Sequence, residues 1–222
     1  MNVDFKFVYP LILLAAGRSQ RMGSPKGLLD FLGRPWIAHQ LSLFKKIGGT
    51  HAIVVLGHGS KEYQRALDEA RDLLTGLHVQ RVLNPDPDRG TFSSVQVGIA
   101  AALEASHEVS PCGPLALLPL DVPVPPNEVW LDLAKGFQES DGSVTLPEFQ
   151  GRGGHPVILS RAFATRLLRL PVQDEDSRLD RQIRLLPLDQ VRRQTVGSPE
   201  ILLNLNDPAQ WAAYLKQQET PG

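Results

Sequence analysis

Apolar and polar positions along the chain follow two different spacings. Short, almost continuous apolar runs are bounded by glycine, proline and asparagine, and they predict buried strands at residues 11–15, 52–56, 79–83 and 115–118. Between them, apolar residues recur every three or four positions, which predicts helices at residues 35–47, 60–74, 92–105 and 127–137. Strands that alternate with helices in this way indicate βαβ units around a parallel sheet.

The last third of the chain has a less regular pattern. It predicts strands at residues 144–146, 157–159 and 191–196, and short helices at residues 161–170 and 208–217. The proline-rich stretch VPVPP at 122–126 follows a strand and is too short to separate two domains. We therefore predict one α/β domain over residues 1–222, built around a mostly parallel sheet.

The charges of the chain are nearly balanced. There are 23 Lys and Arg residues against 24 Asp and Glu residues, and the formal net charge is -1. This composition lacks the summed positive field that would hold a nucleic-acid backbone or an anionic membrane. We expect neither nucleic acid nor a membrane as a partner, although a small local basic site is compatible with this composition.

Two further features concern the cellular compartment. Cys112 is the single cysteine, so no internal disulfide and no CxxC pair can form, as expected in a reducing cytosol. The apolar run at 7–16 has the length of a signal-peptide core, but Asp4 offsets Lys6 ahead of it, and the basic excess of such a signal is missing. No apolar run approaches the roughly 20 residues of a membrane span. We expect a cytoplasmic protein.

Ligands of open parallel sheets bind in the loops that follow the strands. The first such loop, LLAAGRSQRMGSPKGLL at 13–29, is hereafter the signature loop. It combines small residues, which let a ligand approach backbone N–H groups, with cations that suit a triphosphate: Ala15, Ala16, Gly17, Arg18, Arg21 and Lys26. It is not a Walker A loop, because Ser24 rather than lysine follows Gly23, and its spacing is not GxGxxG either. A solvated basic turn is the alternative.

The pattern LAAGxSxRMGxxK resembles the loop of nucleotidyltransferases with a Rossmann-like fold, and especially the molybdenum-cofactor cytidylyl- and guanylyltransferase family. The resemblance continues through four segments, NPDPDRGTFSSVQVGIAAA at 84–102, LPLDVP at 118–123, GRGGHPVILS at 151–160 and LLNLNDPAQW at 202–211. It implies a Rossmann-like, three-layer nucleotidyltransferase fold with a mostly parallel sheet. It also implies an NTP substrate and Mg²⁺ as the cofactor.

The same resemblance implies a metal site. Asp121 follows a buried strand, and Pro119 and Pro123 restrict the backbone around it. A carboxylate oxygen is a hard ligand that suits Mg²⁺, and the resemblance assigns this role to Asp121 and, in NLNDP, to Asn206. The alternatives are a turn-forming aspartate and a helix cap. Relatives carry glycine just before the aspartate, where this chain has Leu120.

The remaining implied roles concern the two substrates. Arg18, Lys26 and Asp121 are the implied catalytic residues. The residues implied to bind the nucleotide are Leu14, Ala15, Ala16, Gly17, Arg18, Arg21 and Lys26 in the signature loop, with Asn84, Ser93 and Ser94 along the base and ribose. Gly154 and His155 are implied on the acceptor side.

Several of these residues have structural alternatives. Ser93 also fits a helix cap, and His155 also fits a hydrogen-bonded structural residue. The acidic segment DEDSRLDR at 174–181 is predicted to be a solvated loop and helix start, at the place where many relatives have GDxGxR.

The expected reaction moves a nucleoside monophosphate from an NTP to a phosphorylated acceptor. By resemblance, LAAG favours CTP, and GTP is the alternative. A molybdopterin-like phosphate is the expected acceptor, with a sugar phosphate as its competitor and a molybdoenzyme or maturation protein as a partner. A non-catalytic nucleotide- or pterin-binding delivery protein is the other class of function, suggested by Leu120.

Overall fold

The computed structural model describes residues 9–109 and 113–219. Asp4, Lys6 and Cys112, on which the expectations about the compartment depend, lie outside the described residues. The strands are β1 Leu11–Ala15, β2 His51–Leu56, β3 His78–Leu83, β4 Leu115–Pro119, β5 Val144–Phe149, β6 Arg152–Gly153, β7 Val157–Leu159 and β8 Val191–Thr195. The helices are α1 Trp36–Lys46, α2 Ser60–Glu69, α3 Thr91–Val109, α4 Asn127–Gln138, α5 Arg161–Leu167, α6 Leu179–Arg184 and α7 Pro208–Glu219.

The strands form one mixed sheet in the order β3-β2-β1-β4-β7-β5-β6, with β8 paired to β5. The strands β3, β2, β1 and β4 are parallel to one another, and β8 is parallel to β5. Strand β7 runs antiparallel between β4 and β5, and β6 is antiparallel to β5. The chain moves outward from β1 to β3 and then returns to β4 on the other side of β1. This reversal opens a crevice at the carboxyl ends of β1 and β4.

Helices cover both faces of the sheet, because successive residues of each buried strand point to opposite sides. Leu11 and Leu13 pack with α1, α4 and α7, whereas Ile12 and Leu14 pack with α3 and α5. Each buried leucine or isoleucine stabilises the fold by about 1.5–3 kcal/mol relative to full exposure. The expected three-layer α/β fold is confirmed.

Some predicted boundaries and one predicted burial were wrong. The helix predicted at 60–74 ends at Glu69 and continues as turns, and the one predicted at 92–105 extends to Val109. Strand β3 is not buried: it lies at the edge of the sheet, and Leu83 is an exposed hydrophobic residue. An apolar run therefore marked a strand correctly but did not reveal that the strand pairs on one side only.

In the part of the chain that the structure describes, none of the helices combines the length and the apolar composition needed to cross a membrane.

Candidate active site

An open cleft of about 930 Å³ lies at the carboxyl ends of β1 and β4. The signature loop and the segments that follow β3 and β4 form much of its wall, and chain segments from the last third complete it. Its lining consists of Leu14, Ala15, Ala16, Gly17, Arg18, Ser19, Gln20, Arg21, Lys26, Tyr63, Pro87, Gly90, Thr91, Ser94, Pro119, Leu120, Asp121, His155, Arg178, Asn204 and Asn206. The cleft therefore occupies the crevice at which open α/β sheets bind ligands.

The signature loop is folded back on itself by one short hydrogen bond. The hydroxyl oxygen of Ser19 accepts a hydrogen bond of 3.0 Å from the backbone N–H of Lys26. Ser19 has a φ of 51°, so the chain turns sharply directly after the small residues. A side chain placed on Gly17 would meet nothing within 4 Å, and this open space belongs to the cleft. A ligand can therefore approach the backbone closely at Gly17.

Lys26 lines the cleft, although the residue is only 8% exposed. Its ammonium donates a hydrogen bond of 2.8 Å to the amide oxygen of Asn206 and lies 3.4 Å from a carboxylate oxygen of Asp121. Burial lowers the pKa of Lys26, and the neighbouring Asp121 carboxylate acts in the opposite direction. The two oxygen ligands implied for a metal thus converge on one buried cation.

The chain segment at 204–206 is held beside Asp121 by the backbone. The N–H of Leu205 donates a hydrogen bond of 2.8 Å to the carbonyl oxygen of Asp121. This bond joins the loop after β4 to the segment that leads into α7. It explains how a residue far along the chain, Asn206, reaches the ammonium of Lys26.

The donor chemistry at this point fits a divalent cation. A carboxylate and an amide oxygen are hard ligands that suit Mg²⁺, and phosphate oxygens and waters complete such sites. Within residues 9–109 and 113–219, no cluster of three or more His, Cys, Asp and Glu side chains could hold a metal by itself. A cation in this cleft would therefore depend on the bound substrate for its remaining ligands.

Leu120 points into the core. The residue is 5% exposed, and its side chain belongs to the cluster that packs under α1. A methyl group on Gly27 would lie 2.8 Å from Leu120 Cδ2, so Gly27 leaves the space that Leu120 fills. The indole N–H of Trp36 donates a hydrogen bond of 2.8 Å to the Leu120 carbonyl oxygen. The departure from glycine at this position is thus accommodated by packing in the core.

Arg18 lies at the exposed rim of the cleft. Its Nε donates a hydrogen bond of 2.8 Å to Asp88 Oδ1, and its Nη2 forms an ion pair with Asp88 Oδ2. The Nε2 of His58 lies 2.9 Å from Asp88 Oδ1. The hydrogen bonds from Arg18, which has the larger effect, and from His58 lower the pKa of the Asp88 carboxyl to about 2. This carboxylate therefore stays ionised at neutral pH. Arg21 also lines the cleft.

The three residues predicted to contact the base and ribose lie at two different depths. Asn84 is 3% exposed, and its amide N–H group donates hydrogen bonds of 2.8 Å to Ser93 Oγ and 2.9 Å to Ser94 Oγ. Its amide oxygen accepts a hydrogen bond of 3.0 Å from the N–H of Asp86. Ser94 lines the cleft, whereas Asn84 and Ser93 lie beneath it. Asn84 and Ser93 are therefore buried behind the lining, where they shape the loop after β3 and the start of α3.

Gly154 and His155 also differ in their positions. The N–H of Gly154 donates to the carbonyl oxygen of Pro147, and a side chain at Gly154 would collide with the backbone of Ile201. Gly154 is thus explained by close backbone packing, and it does not line the cleft. His155 does line the cleft, and burial lowers its pKa to about 4. Its imidazole is therefore neutral near pH 7.

Two residues of the lining lie outside the segments that carried the sequence-based expectations for the site: Tyr63 and Arg178. Arg178 belongs to the segment 174–181, which was predicted to be solvated, and its guanidinium pairs with Asp180 at 3.2 Å. The spacing from Asp174 to Arg178 matches that of the acidic and basic positions in GDxGxR, and this signal could have identified Arg178. Tyr63 carried no comparable signal, because it lies on the buried face of α2.

Fold and cleft together define the class of α/β nucleotidyltransferases. The chain belongs to the family described as the MobA-like NTP transferase domain, which it matches over residues 11–217. It is also similar to the bifunctional protein GlmU of Paracidovorax citrulli, with 33% identity over 148 residues. That match covers 64% of this chain and 29% of GlmU, so the chain spans less than a third of this relative.

Two solved structures share the fold. A nucleotidyl transferase from Methanothermobacter thermautotroptrophicus superposes with a TM-score of 0.72 at 21% identity, over 95% of this chain and 97% of that one. The molybdopterin-guanine dinucleotide biosynthesis protein A of Archaeoglobus fulgidus superposes with a TM-score of 0.65 at 13% identity, over 95% and 98%. The likeness concerns the fold, and the family assignment rests on the match of residues 11–217.

Proposed function

We propose that the protein transfers a nucleoside monophosphate from an NTP to a phosphorylated acceptor and releases pyrophosphate. The observation that carries this proposal is the convergence of the Lys26 ammonium, the Asp121 carboxylate and the Asn206 amide in one cleft. A buried cation beside two oxygen ligands suits a reaction in which negative charge builds up on a triphosphate.

In this reaction an oxygen of the acceptor phosphate attacks the α-phosphorus of the NTP. A new P–O bond forms, the bond to the bridging oxygen of the β-phosphate breaks, and pyrophosphate leaves with the electron pair. Lys26 and Arg21 would hold the phosphates and stabilise the charge on the leaving group, with Arg18 at the rim. The backbone around Gly17 would contribute N–H donors.

Asp121 and Asn206 would hold a divalent cation, with Mg²⁺ proposed from the family resemblance. When bound, such a cation neutralises charge on phosphate oxygens and helps to align them. The ammonium of Lys26 contacts an oxygen atom of each of these two side chains. We infer that the ammonium turns toward the phosphates when the substrate arrives.

A general base is not required in this scheme. The second pKa of a phosphate monoester lies near 6, so the acceptor is already ionised at neutral pH. His155 has its pKa lowered to about 4 and would be a weak base. Its place in the lining of the cleft supports a contact with the acceptor instead.

The preferred nucleotide is CTP, and the preferred acceptor is a molybdopterin-like phosphate; both preferences come from the family resemblance. GTP is the second candidate, and the similarity to a structure named for molybdopterin-guanine dinucleotide biosynthesis favours it. A sugar phosphate is the competing acceptor. The non-catalytic alternative loses its motivation, because Leu120 fills core volume beside Gly27.

The test is a pyrophosphate-release assay with Mg²⁺, molybdopterin and each of the four NTPs in turn. Lys26→Ala and Asp121→Ala should each lower the release rate by at least about 100-fold. Lys135→Ala, which removes an exposed lysine of α4, is the matched control and should keep full activity. The unfolding midpoint of each variant shows whether a loss of rate is a loss of fold.

The outcomes separate the candidates. Release with CTP alone would support the cytidylyltransferase, and release with GTP alone would assign the guanylyl activity instead. Binding of an NTP without release would exclude molybdopterin as the acceptor or indicate a binding protein. Equal rates for Lys26→Ala and the unchanged protein would contradict the proposed mechanism.

A further inference from the structure

Three loops that follow adjacent parallel strands meet at the rim of the cleft. Arg18 follows β1, His58 follows β2 and Asp88 lies in the turn Pro87–Arg89 after β3. Both other side chains contact the carboxylate of Asp88. Arg18 donates a hydrogen bond of 2.8 Å from Nε and forms an ion pair through Nη2, and His58 Nε2 lies 2.9 Å from Oδ1. We refer to these three residues as the rim cluster.

The rim cluster is joined by packing to the wall of the cleft. The N–H of His58 donates a hydrogen bond of 3.2 Å to the carbonyl oxygen of Ala16. A side chain at Gly57 would lie 2.7 Å from the same oxygen, so the loop after β2 packs directly against the signature loop. Pro87 and Gly90, which flank Asp88 and Arg89, line the cleft.

Stability does not explain the ion pair of Arg18 with Asp88. Both side chains are about half exposed, and exposed ion pairs stabilise proteins by little. Geometry offers another role. A guanidinium has five N–H donors, and Asp88 engages the edge formed by Nε and Nη2. The remaining N–H groups stay available for a second oxyanion, so one edge can be held while the other binds a phosphate.

We infer that Asp88 is a positioning residue for the triphosphate: it holds Arg18 at the rim and orients its remaining N–H groups for the phosphates. His58 contacts the same carboxylate through Nε2 and so helps to fix its position. This inference rests on the proposed function, because it presupposes an NTP in the cleft. The benefit is entropic, since a flexible arginine that is already ordered loses less freedom when the ligand binds.

The test is the dissociation constant of the preferred NTP, measured by calorimetry for Asp88→Asn. This variant keeps the shape of the side chain and removes its charge. The constant should rise about three- to tenfold, with a smaller change in kcat. The matched control is Asp68→Asn, which breaks the exposed ion pair of Arg81 with Asp68 at 2.8 Å; Asp68 is 54% exposed against 52% for Asp88. The control should bind the NTP as the unchanged protein does.

A double-variant comparison separates positioning from a general effect of charge. When Arg18 is already replaced by Gln, Asp88→Asn should not weaken binding further, because there is no guanidinium left to hold. Unchanged or tighter binding by Asp88→Asn alone would overturn the inference and leave the proposed function intact. Failure of the unchanged protein to bind any NTP would overturn both.

Discussion

A buried lysine ammonium is costly unless its charge is paired and its hydrogen bonds are satisfied. Lys26 meets this condition in part: Asn206 and Asp121 supply two oxygen atoms from segments distant in the chain, whereas an ammonium has three N–H donors. The charge is thus paired, and donor capacity is left for a ligand. Substrate phosphates can therefore compete for the ammonium, and this competition is the basis of its proposed role.

Gly17 allows a test at the scale of one residue. In Gly17→Ala the new methyl group meets no protein atom within 4 Å, and φ is not in the left-handed region. We expect the free energy of unfolding to stay the same or to rise by up to about 1 kcal/mol. The affinity for the NTP should fall about tenfold or more, because the methyl group occupies space beside the backbone that the phosphates need.

Thermal unfolding and calorimetric titration with the NTP measure the two quantities separately. A Gly17→Ala protein that binds the NTP normally would show that the backbone at this position is not part of the phosphate site.

At the scale of elements, the part of the cleft that contains His155 depends on how β6 and β7 meet the turn Pro199–Leu202. The N–H of His155 donates a hydrogen bond of 3.0 Å to the carbonyl oxygen of Ile201, and the N–H of Gly154 binds Pro147 on β5. These contacts join the turn to the sheet just before the chain reaches Asn206. Local packing here therefore positions both His155 and Asn206, the proposed metal ligand.

Gly154→Ala should disturb this junction. The added methyl group would lie 2.8 Å from the carbonyl carbon of Ile201 and collide with the carbonyl oxygen. The backbone of Ile201 cannot move out of the way as easily as a flexible side chain could. We expect a loss of about 1–3 kcal/mol in the free energy of unfolding. Chemical denaturation is the measurement.

Gly197→Ala is the matched control for that experiment. Gly197 lies just ahead of the same turn, and a methyl group there meets nothing within 4 Å. Its free energy of unfolding should stay within about 0.5 kcal/mol of the unchanged protein. Equal stability of the two glycine variants would contradict the close packing described for Gly154.

At the scale of the whole molecule, α7 closes the core through a cluster of aromatic rings. Phe31 and Trp36 contact Trp211 and Tyr214 of that helix, and the ring of His39 stacks on Trp36 with an interplanar angle of 18°. Burial lowers the pKa of His39 to about 4, and Arg34 and Lys46 act in the same direction. The imidazole is therefore neutral in the folded protein down to acidic pH.

This shift makes stability depend on pH. The ordinary pKa is 6.5, so between pH 6.5 and about 4 the unfolded chain binds a proton at His39 that the folded protein does not. The contribution to stability is complete above pH 6.5 and is lost as pH falls toward 4, at no more than about 1.4 kcal/mol per pH unit. Denaturation curves across this range should show a smaller slope for His39→Gln than for the unchanged protein. Identical slopes would exclude His39 as the source.

Sequence patterns were sufficient for the alternation of strands and helices, the signature loop and the family. These features are local or nearly so: spacing of apolar residues sets which face of an element is buried, and small residues with cations mark a phosphate loop. The exposure of β3 was not predictable from the same patterns, because an apolar run has the same composition at the edge of a sheet as inside it.

Only the tertiary structure decided which side chains meet. Lys26 reaches Asn206 across 180 positions of the chain, and Arg18 reaches Asp88 across 70. The same packing places Asn84 beneath the cleft and brings Arg178 into it. Such contacts follow from the strand order and from the sum of many packing interactions. The residue type at a position therefore limits the chemistry that its side chain can perform, and the fold determines which partner that side chain meets.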